Sequence, residues 1–396
     1  MRAASFLSLT TLSMALCAFG CGGDQIPTQS QDLQITAASL PVNVIDLGTL
    51  NGPDVLSHAA AINPRGDVVG TSDSPTGGEH GFLWDGAMHD LGTLGGLNSH
   101  ACCINPSGQV AGGSWTAVSG ESHAFVWDRG TMTDLGTIGG VFSVAGDINA
   151  RGDVTGTSTT SVPGSNHAFY WDGTIHDLGT LGGNMSDGCA INNAGHVAGT
   201  SETATGEIHP FFWDGTTMHD LGTLGGTMTQ TCLMMNASGQ IAGTTTTAAG
   251  DFHAFLWDGS TMHDLGTCGG TFSEAHAMND AGRVAGVCKT ASGESHAFYW
   301  DGTMHDIGTL GGDLAIPTAI NASGDIIGTS TVATPGNNHA FFWDGTTMHD
   351  IGTLGGNSST AFAMNPGGTI VGSSLIPDPA PMVHIEHAAL WTSRQP

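Results

Sequence analysis

Apolar and polar positions in this chain recur in a fixed order. An Asp-Leu/Ile-Gly-Thr element appears at Asp46, Asp90, Asp134, Asp177, Asp220, Asp264, Asp306 and Asp350, in steps of 42 to 44 residues. A second element, mostly His-Ala-Phe-x-Trp, begins at His80, His123, His167, His209, His253, His296, His339 and His387. A third is Ile/Met-Asn-x-x-Gly, with asparagines at 63, 105, 149, 192, 236, 279, 321 and 365. Eight copies of each make an internal repeat of about 44 residues, and that period decides the architecture before any single strand does.

Each repeat reads as four short strands. Ser-x-Ala-x-Ala-Ile-Asn is the first, rich in small residues. Asn-x-x-Gly then turns the chain, because Asn bonds its local backbone and Gly accepts positive φ. Gly-x-Val-Val/Ala-Gly-Thr-Ser is the second strand. A variable Ser/Thr/Gly-rich loop leads to the third, His-Ala-Phe-x-Trp. Asp-Gly, a strong hairpin signal, follows in most copies. Met-His-Asp-Leu-Gly-Thr-Leu is the fourth, and a Gly-Gly loop opens the next repeat. In 253–257, alternation puts His253, Phe255 and Trp257 on one face and Ala254 and Leu256 on the other. Apolar residues on both faces call for cover on both sides. Four-stranded sheets covered by neighbours on both sides describe propeller blades.

The predicted fold is therefore all-β: an eight-bladed β-propeller over 42–396. Residues 44–50 supply a lone fourth strand and 387–391 a third, so pairing the N-terminal strand with the last blade completes the eighth. An open solenoid would have no use for this permutation and would need polar caps. A β-solenoid with two coils per repeat is the alternative. The small residues of the first strand suit the crowded inner edge of a ring.

The full motif, His-Ala-Phe-x-Trp-Asp-Gly…Asp-Leu-Gly-Thr-Leu-Gly-Gly…Ile-Asn-x-x-Gly-x-Val-x-Gly, resembles the HAF family of extracellular bacterial repeats over residues 44–391. The resemblance implies a secreted or surface location and a propeller-like array. It brings no catalytic residues.

The N-terminus departs from the repeat. Arg2 precedes an apolar stretch from Phe6 to Phe19, too short for a permanent membrane span and shaped like a secretory signal over 1–20. Ala18-Phe19-Gly20-Cys21 resembles a bacterial lipoprotein processing site, with Cys21 as the lipidated residue. Gly22, rather than Asp, follows the cysteine, and the resemblance to lipoproteins then implies the outer membrane over inner-membrane retention. Plain secretion is the alternative. Residues 21–41, polar with two prolines, read as a tether from that anchor.

Composition narrows the partners. Of 396 residues, 35 are acidic and 7 are Lys or Arg, a formal net charge of -28. Seven basic residues cannot neutralise a nucleic-acid backbone. Anionic lipid surfaces are excluded on the same ground, leaving only the N-terminal lipid as a membrane contact.

The repeated polar residues invite chemistry and mostly decline it. A ring of third-strand histidines could hold a transition metal, but a His sharing its face with Phe and Trp fits a structural hydrogen bond to a neighbouring strand better. The Asp of Asp-Leu-Gly occurs in all eight repeats, whereas catalysis uses one or two special carboxylates. If buried, it needs donors, and the companion histidines (His89, His176, His219, His263, His305, His349) or backbone amides could supply them. The Asp of Trp-Asp-Gly is a turn former first, with calcium a weak second reading. No other cofactor and no metal site is expected. Cys102, Cys103, Cys189, Cys232, Cys268 and Cys288 lack metal-type spacing. Adjacent Cys102 and Cys103 should point to opposite faces, and a Cys268–Cys288 bridge is open in an oxidising compartment.

Strand alternation sends the Asn-x-x-Gly and Asp-Gly turns to one rim. The Gly-Gly segments and variable loops go to the other. Arg65, Arg129, Arg151 and Arg283 belong to the tight-turn rim. The variable rim holds Lys289 alone against Glu79, Glu121, Glu202, Glu207, Asp251, Glu294 and Glu386, the candidate binding residues. Such a rim should repel sulfated or carboxylated glycans and attract cations. The sialidase family clamps its carboxylate substrate with an arginine cluster, which this rim lacks. The expected function is a secreted or lipid-anchored, monomeric cell-surface module binding a glycan or protein without chemistry. One alternative is a glycan hydrolase or lyase built on paired rim carboxylates. Another is a purely structural surface layer.

Overall fold

A computed structural model describes residues 42–230, 233–377 and 385–393. The signal segment, the tether, Cys21 and Cys232 lie outside the described residues. Among the described residues every regular element is a strand. In sheet one, Ser57–Ile62, Val68–Asp73, Glu79–Trp84 and Met88–Asp90 pair antiparallel in chain order. The next six repeats copy this plan. In sheet five the first strand is interrupted, into Gly225–Thr229 and Met234–Met235. Sheet eight takes three strands from the C-terminal end, Ser359–Met364, Ile370–Leu375 and Glu386–Ser393, and its fourth, Val42–Asp46, from the N-terminal end. Their register is fixed by Val44 opposite Trp391 and Asp46 opposite Ala389.

The sheets surround one axial cavity of ≈ 130 Å³. Ala60, Ile104, Asp147, Ala190, Met234, His276, Thr318 and Phe362 all line it, one from the first strand of each repeat. The first strands are thus innermost, as their small residues predicted. Below them the turn asparagines link neighbouring sheets. Asn105 Nδ2 donates to the Asn149 carbonyl at 3.1 Å, Asn149 to Asn192 at 3.1 Å and Asn279 to Asn321 at 2.8 Å. Asn365 donates to Asn63 at 3.4 Å and joins the last repeat to the first.

The core lies between sheets rather than within them. The phenylalanines of the third strands, Phe82, Phe125, Phe169, Phe211, Phe255, Phe298 and Phe341, are fully buried. Ala254 and Leu256, on the opposite face from Phe255, are buried too. One cluster runs from Met234, Leu256 and Leu265 of sheet five to Val284 and Phe298 of sheet six. The cluster of Leu47, Val371 and Leu390 with Val68 and Phe82 does the same across the closure.

Two local features were not anticipated. The Gly-Gly segment, read as a loop, opens the first strand in most sheets: Gly95 pairs with Thr116 and Gly139 with Thr160. The first strand also bulges before its end, between Ala101 and Cys103 in sheet two. The bulge presses a carbonyl against the second strand. A Cβ at Gly112 would stand 2.0 Å from the His100 carbonyl oxygen, so the glycine of Val-x-Gly is required by close approach. The bulge also corrects the expectation for the adjacent cysteines. Cys102 and Cys103 do not diverge, and their Sγ atoms lie 2.7 Å apart.

Candidate functional site

The eight third-strand histidines are all engaged by carboxylates. Asp90 stands opposite Phe82, so His80, two residues earlier on the same face, reaches it diagonally. His80 Nδ1 donates to Asp90 at 2.9 Å. The same bond joins His123 to Asp134, His167 to Asp177, His209 to Asp220, His253 to Asp264, His296 to Asp306, His339 to Asp350 and His387 to Asp46, at 2.7 to 2.9 Å. Each Asp also accepts the amide of the glycine two residues on, as Asp264 does from Gly266 at 2.8 Å. His and Asp therefore tie the third strand to the end of the fourth.

The companion histidines have a different partner from the one expected. They bond the turn carboxylate of Trp-Asp-Gly and leave the Asp of Asp-Leu-Gly alone. His219 Nε2 lies 2.8 Å from Asp214, His263 Nε2 2.7 Å from Asp258, and His89 Nε2 2.9 Å from Asp85. Those hydrogen bonds, with Thr216 and Thr217 at Asp214 and with Ser260 and Thr261 at Asp258, hold both carboxyls well below the ordinary carboxylate range. Each accepts four hydrogen bonds from its own hairpin. Among the described residues no group of three or more His, Cys, Asp or Glu is arranged to hold a metal ion.

A second device joins adjacent sheets. Ser273 Oγ accepts the Ala254 amide of the preceding sheet at 2.9 Å and donates to the Gly266 carbonyl at 2.6 Å. Ser57, Ser99, Ser143, Ser186 and Ser359 make the same double bond. Where Ala315 replaces this serine, the preceding fourth strand lengthens to Met304–Gly308, and Gly308 pairs directly with Ala297.

At the tight-turn rim, Arg65 bonds Asp67 at 2.6 Å and Arg283 donates to the Ser323 carbonyl at 3.0 Å. Arg129 takes a left-handed conformation with φ 48°. At the variable rim the seven candidate carboxylates sit in or beside the loops between second and third strands. Of the five with side-chain contacts, each is tied to its own loop or to a neighbouring strand, not to another of the seven. Asn184 N donates to Glu202 at 2.7 Å. Thr205 Oγ1 donates to Glu207 at 3.1 Å and Ser292 Oγ to Glu294 at 3.0 Å. Ser373 Oγ donates to Glu386, which also lies 3.8 Å from His58 Nδ1. Glu79 lies 3.9 Å from His100 Nδ1. Glu121 and Asp251 shape their loops through backbone carbonyls, which accept from Thr116 at 3.1 Å and Thr247 at 2.8 Å. Lys289 folds back onto the Gly293 carbonyl at 3.0 Å. Cys268 and Cys288 form a disulfide with Cα atoms 5.5 Å apart, beside this rim.

Sequence reasoning missed one feature here. The exposed large apolar side chains concentrate on the same rim, over the first five repeats. For Trp115 the signal was departure from the repeat: its position is held by Asp73, Thr159, Glu202, Thr246, Lys289, Thr331 and Leu375 elsewhere.

No family model matches the chain, and no curated protein matches it. Solved structures do. Dipeptidyl peptidase 4 from Porphyromonas gingivalis aligns with a TM-score of 0.53 at 11% identity, over 83% of this chain and 56% of that one. The β-propeller domain of the trilobed protease from Pyrococcus furiosus aligns with a TM-score of 0.49 at 10% identity, over 75% of this chain and 96% of that domain. TolB from Acinetobacter baumannii aligns with a TM-score of 0.36 at 14% identity, over 51% of each chain. The chain thus spans about half the length of the TolB protein. At such identities the likeness concerns the fold alone, and the chain is similar in structure to β-propeller domains.

Proposed function

We propose that this chain is an exported, eight-bladed β-propeller of HAF-type repeats that binds a surface glycan or protein through its variable rim, without catalysis. One observation carries the reading. The chemistry-bearing residues that recur hold strands together, eight histidines on eight aspartates, while variation between copies concentrates in the loops of one rim. Loops that vary on a stiff scaffold are where recognition is placed. Five of the seven carboxylates of that rim are individually tethered, which suits binding better than the paired acid and base that a glycosidase needs. The Cys268–Cys288 disulfide is consistent with an oxidising compartment, and Cys21 is the proposed anchor. The protein acts as a monomer, makes no use of nucleic acid and touches membrane only through that lipid.

The test is a binding screen of residues 24–396 against glycans, envelope fractions and extracellular matrix material, with and without calcium. Specific binding at micromolar levels that is weakened by alanine substitution at Glu79, Glu207 or Glu294 is the expected result. A folded, β-rich domain that binds none of them removes the reading. Turnover of a glycan that disappears on the same substitutions replaces it with the hydrolase or lyase.

A further inference from the structure

The rim is apolar as well as acidic, and only on one side. Nine large apolar side chains are exposed among the described residues, and eight of them stand at this rim in repeats one to five. The six that matter most are Leu97, Trp115, Val118, Val141, Val162 and Met185. Trp115 is 49% exposed, Leu97 50% and Val162 60%. A protein of this composition has no need to leave so many on one arc, since contiguous exposed apolar patches mark interaction sites.

The residues are neighbours by pairing as well as by repeat position. Gly95 pairs with Thr116, which brings the segment holding Leu97 beside Trp115, and a Cβ on Gly96 would stand 2.6 Å from the Trp115 Cβ. Phe142, next to Val141, pairs with Ser122 of the preceding sheet. Met185 pairs with Asn166, at the end of the loop that carries Val162. The exposed apolar residues therefore follow one another along the rim from sheet two to sheet four. Met185 holds a position that is apolar in most repeats (Leu56, Phe142, Met228, Phe272, Leu314), whereas the tryptophan at 115 does not recur. Eight of the nine tryptophans fill the Trp of His-Ala-Phe-x-Trp, and Trp115 is the ninth.

Charge selects the occupant. Glu79 follows Gly78, whose added Cβ would strike the Leu97 carbonyl oxygen at 2.2 Å, so a carboxylate borders the arc at one end. Glu121 closes the loop that carries Val118, and Glu202 reaches the amide of Asn184 beside Met185. The rim's one cation, Lys289, lies in repeat six, away from the arc. A second copy of this chain would bring another net charge of -28, and an anionic lipid surface would be repelled likewise. Sugars stack on tryptophan, but a row of Val, Leu and Met offers hydroxyl groups nothing. We propose that the arc over sheets two to four docks a polypeptide segment in which aliphatic side chains alternate with Lys or Arg. This deepens the binding reading above and rests on it.

The test uses the full exported chain and three synthetic dodecapeptides: alternating Leu and Lys, alternating Ser and Lys, and alternating Leu and Glu. Binding is read by fluorescence anisotropy of a dye on the peptide. The Leu-Lys peptide should bind best, and the triple variant W115T/V118S/V162S should weaken it by about 10-fold or more, as central apolar anchors do. The pair Glu79→Gln and Glu121→Gln should weaken it several-fold and flatten its salt dependence. Far-ultraviolet dichroism and the Tm of each variant establish folding. Equal binding of the Ser-Lys peptide overturns the inference, because the apolar arc then contributes nothing. Unchanged Leu-Lys binding by the folded triple variant overturns it as well. Loss of a glycan hit in W115T with peptide binding untouched reassigns the arc to sugar. Envelope fractions separate the two levels. If wild type and triple variant bind them equally, the arc is wrong and the module reading stands; if neither binds, the module reading falls.

Discussion

At the scale of single residues, packing outweighs the polar bonds that recur so visibly. Phe255 is fully buried between sheets, and truncating such a ring costs about 3–5 kcal/mol. Asp264 receives His253 at 2.9 Å and Gly266 at 2.8 Å, but its side chain remains 42% exposed. Removing it lets water replace part of what is lost. Asp264→Ala is therefore expected to cost about 1 kcal/mol and Phe255→Ala several times more, measured by urea unfolding at neutral pH. A reversed order would show that the His–Asp pair anchors the sheet. The strand residues themselves were legible, because alternation states which face a side chain takes. Which of two carboxylates a histidine would meet was not. That depends on hairpin register, and the diagonal from His80 to Asp90 becomes visible only once Asp90 is seen opposite Phe82. The bulge between Ala101 and Cys103 was hidden for the same reason, although the glycine it demands at Gly112 was in plain view as part of the motif.

At the scale of elements, the closing strand carries a His–Asp pair whose imidazole also meets a backbone carbonyl. His387 Nδ1 faces Asp46 at 2.8 Å and its Nε2 faces the Pro53 carbonyl at 3.1 Å, so both nitrogens meet acceptors. The Asp46 hydrogen bond raises the imidazole above its ordinary range, against the opposing effect of burial. For Asp46, burial works upward, but the bonds from His387 and from the Gly48 amide bring the carboxyl below its ordinary value. The signs follow from linkage. The histidine's share of stability is fully present below its unfolded pKa of about 6.5 and is lost as pH rises through the raised folded value. The aspartate's share is present above its unfolded value of about 3.9 and is lost as pH falls through the depressed folded one. The closure is thus strongest between about pH 4 and 6.5. The difference in Tm between wild type and His387→Gln should peak in that window and shrink on both sides. A difference that is flat with pH would remove the pair from the closure. The strand exchange itself was readable from the sequence, since a lone fourth strand at one end and a missing one at the other leave little choice. The serines between sheets were not. Their role requires knowing that the preceding sheet offers an amide and a carbonyl at that seam, and Ala315 shows that the chain can manage otherwise by lengthening a strand.

At the scale of the molecule, closure changes the statistics of unfolding. In an open array each repeat touches only its neighbours, and the array can fray from its ends. Here the first and last sheets share the cluster of Leu47, Val371 and Leu390 with Val68 and Phe82, and Asn365 bonds Asn63. An end that is covered has nowhere to begin fraying. Removing residues 42–50 would uncover both terminal sheets at once, taking away the strand opposite Glu386–Ser393 and the buried Leu47. The intact chain is expected to unfold in one calorimetric transition, and the truncated one at lower temperature in a broader, multi-step transition. If the truncated chain keeps one sharp transition at the original Tm, the strand is ornamental and the ring is held by its interior alone. The same closure bears on recognition. A ring that unfolds as one body keeps the arc of Trp115, Val141 and Met185 in fixed register across three sheets, so a partner that bridges them loses little entropy to their ordering. Truncation should therefore weaken docking of the Leu-Lys peptide even though every residue of the arc remains.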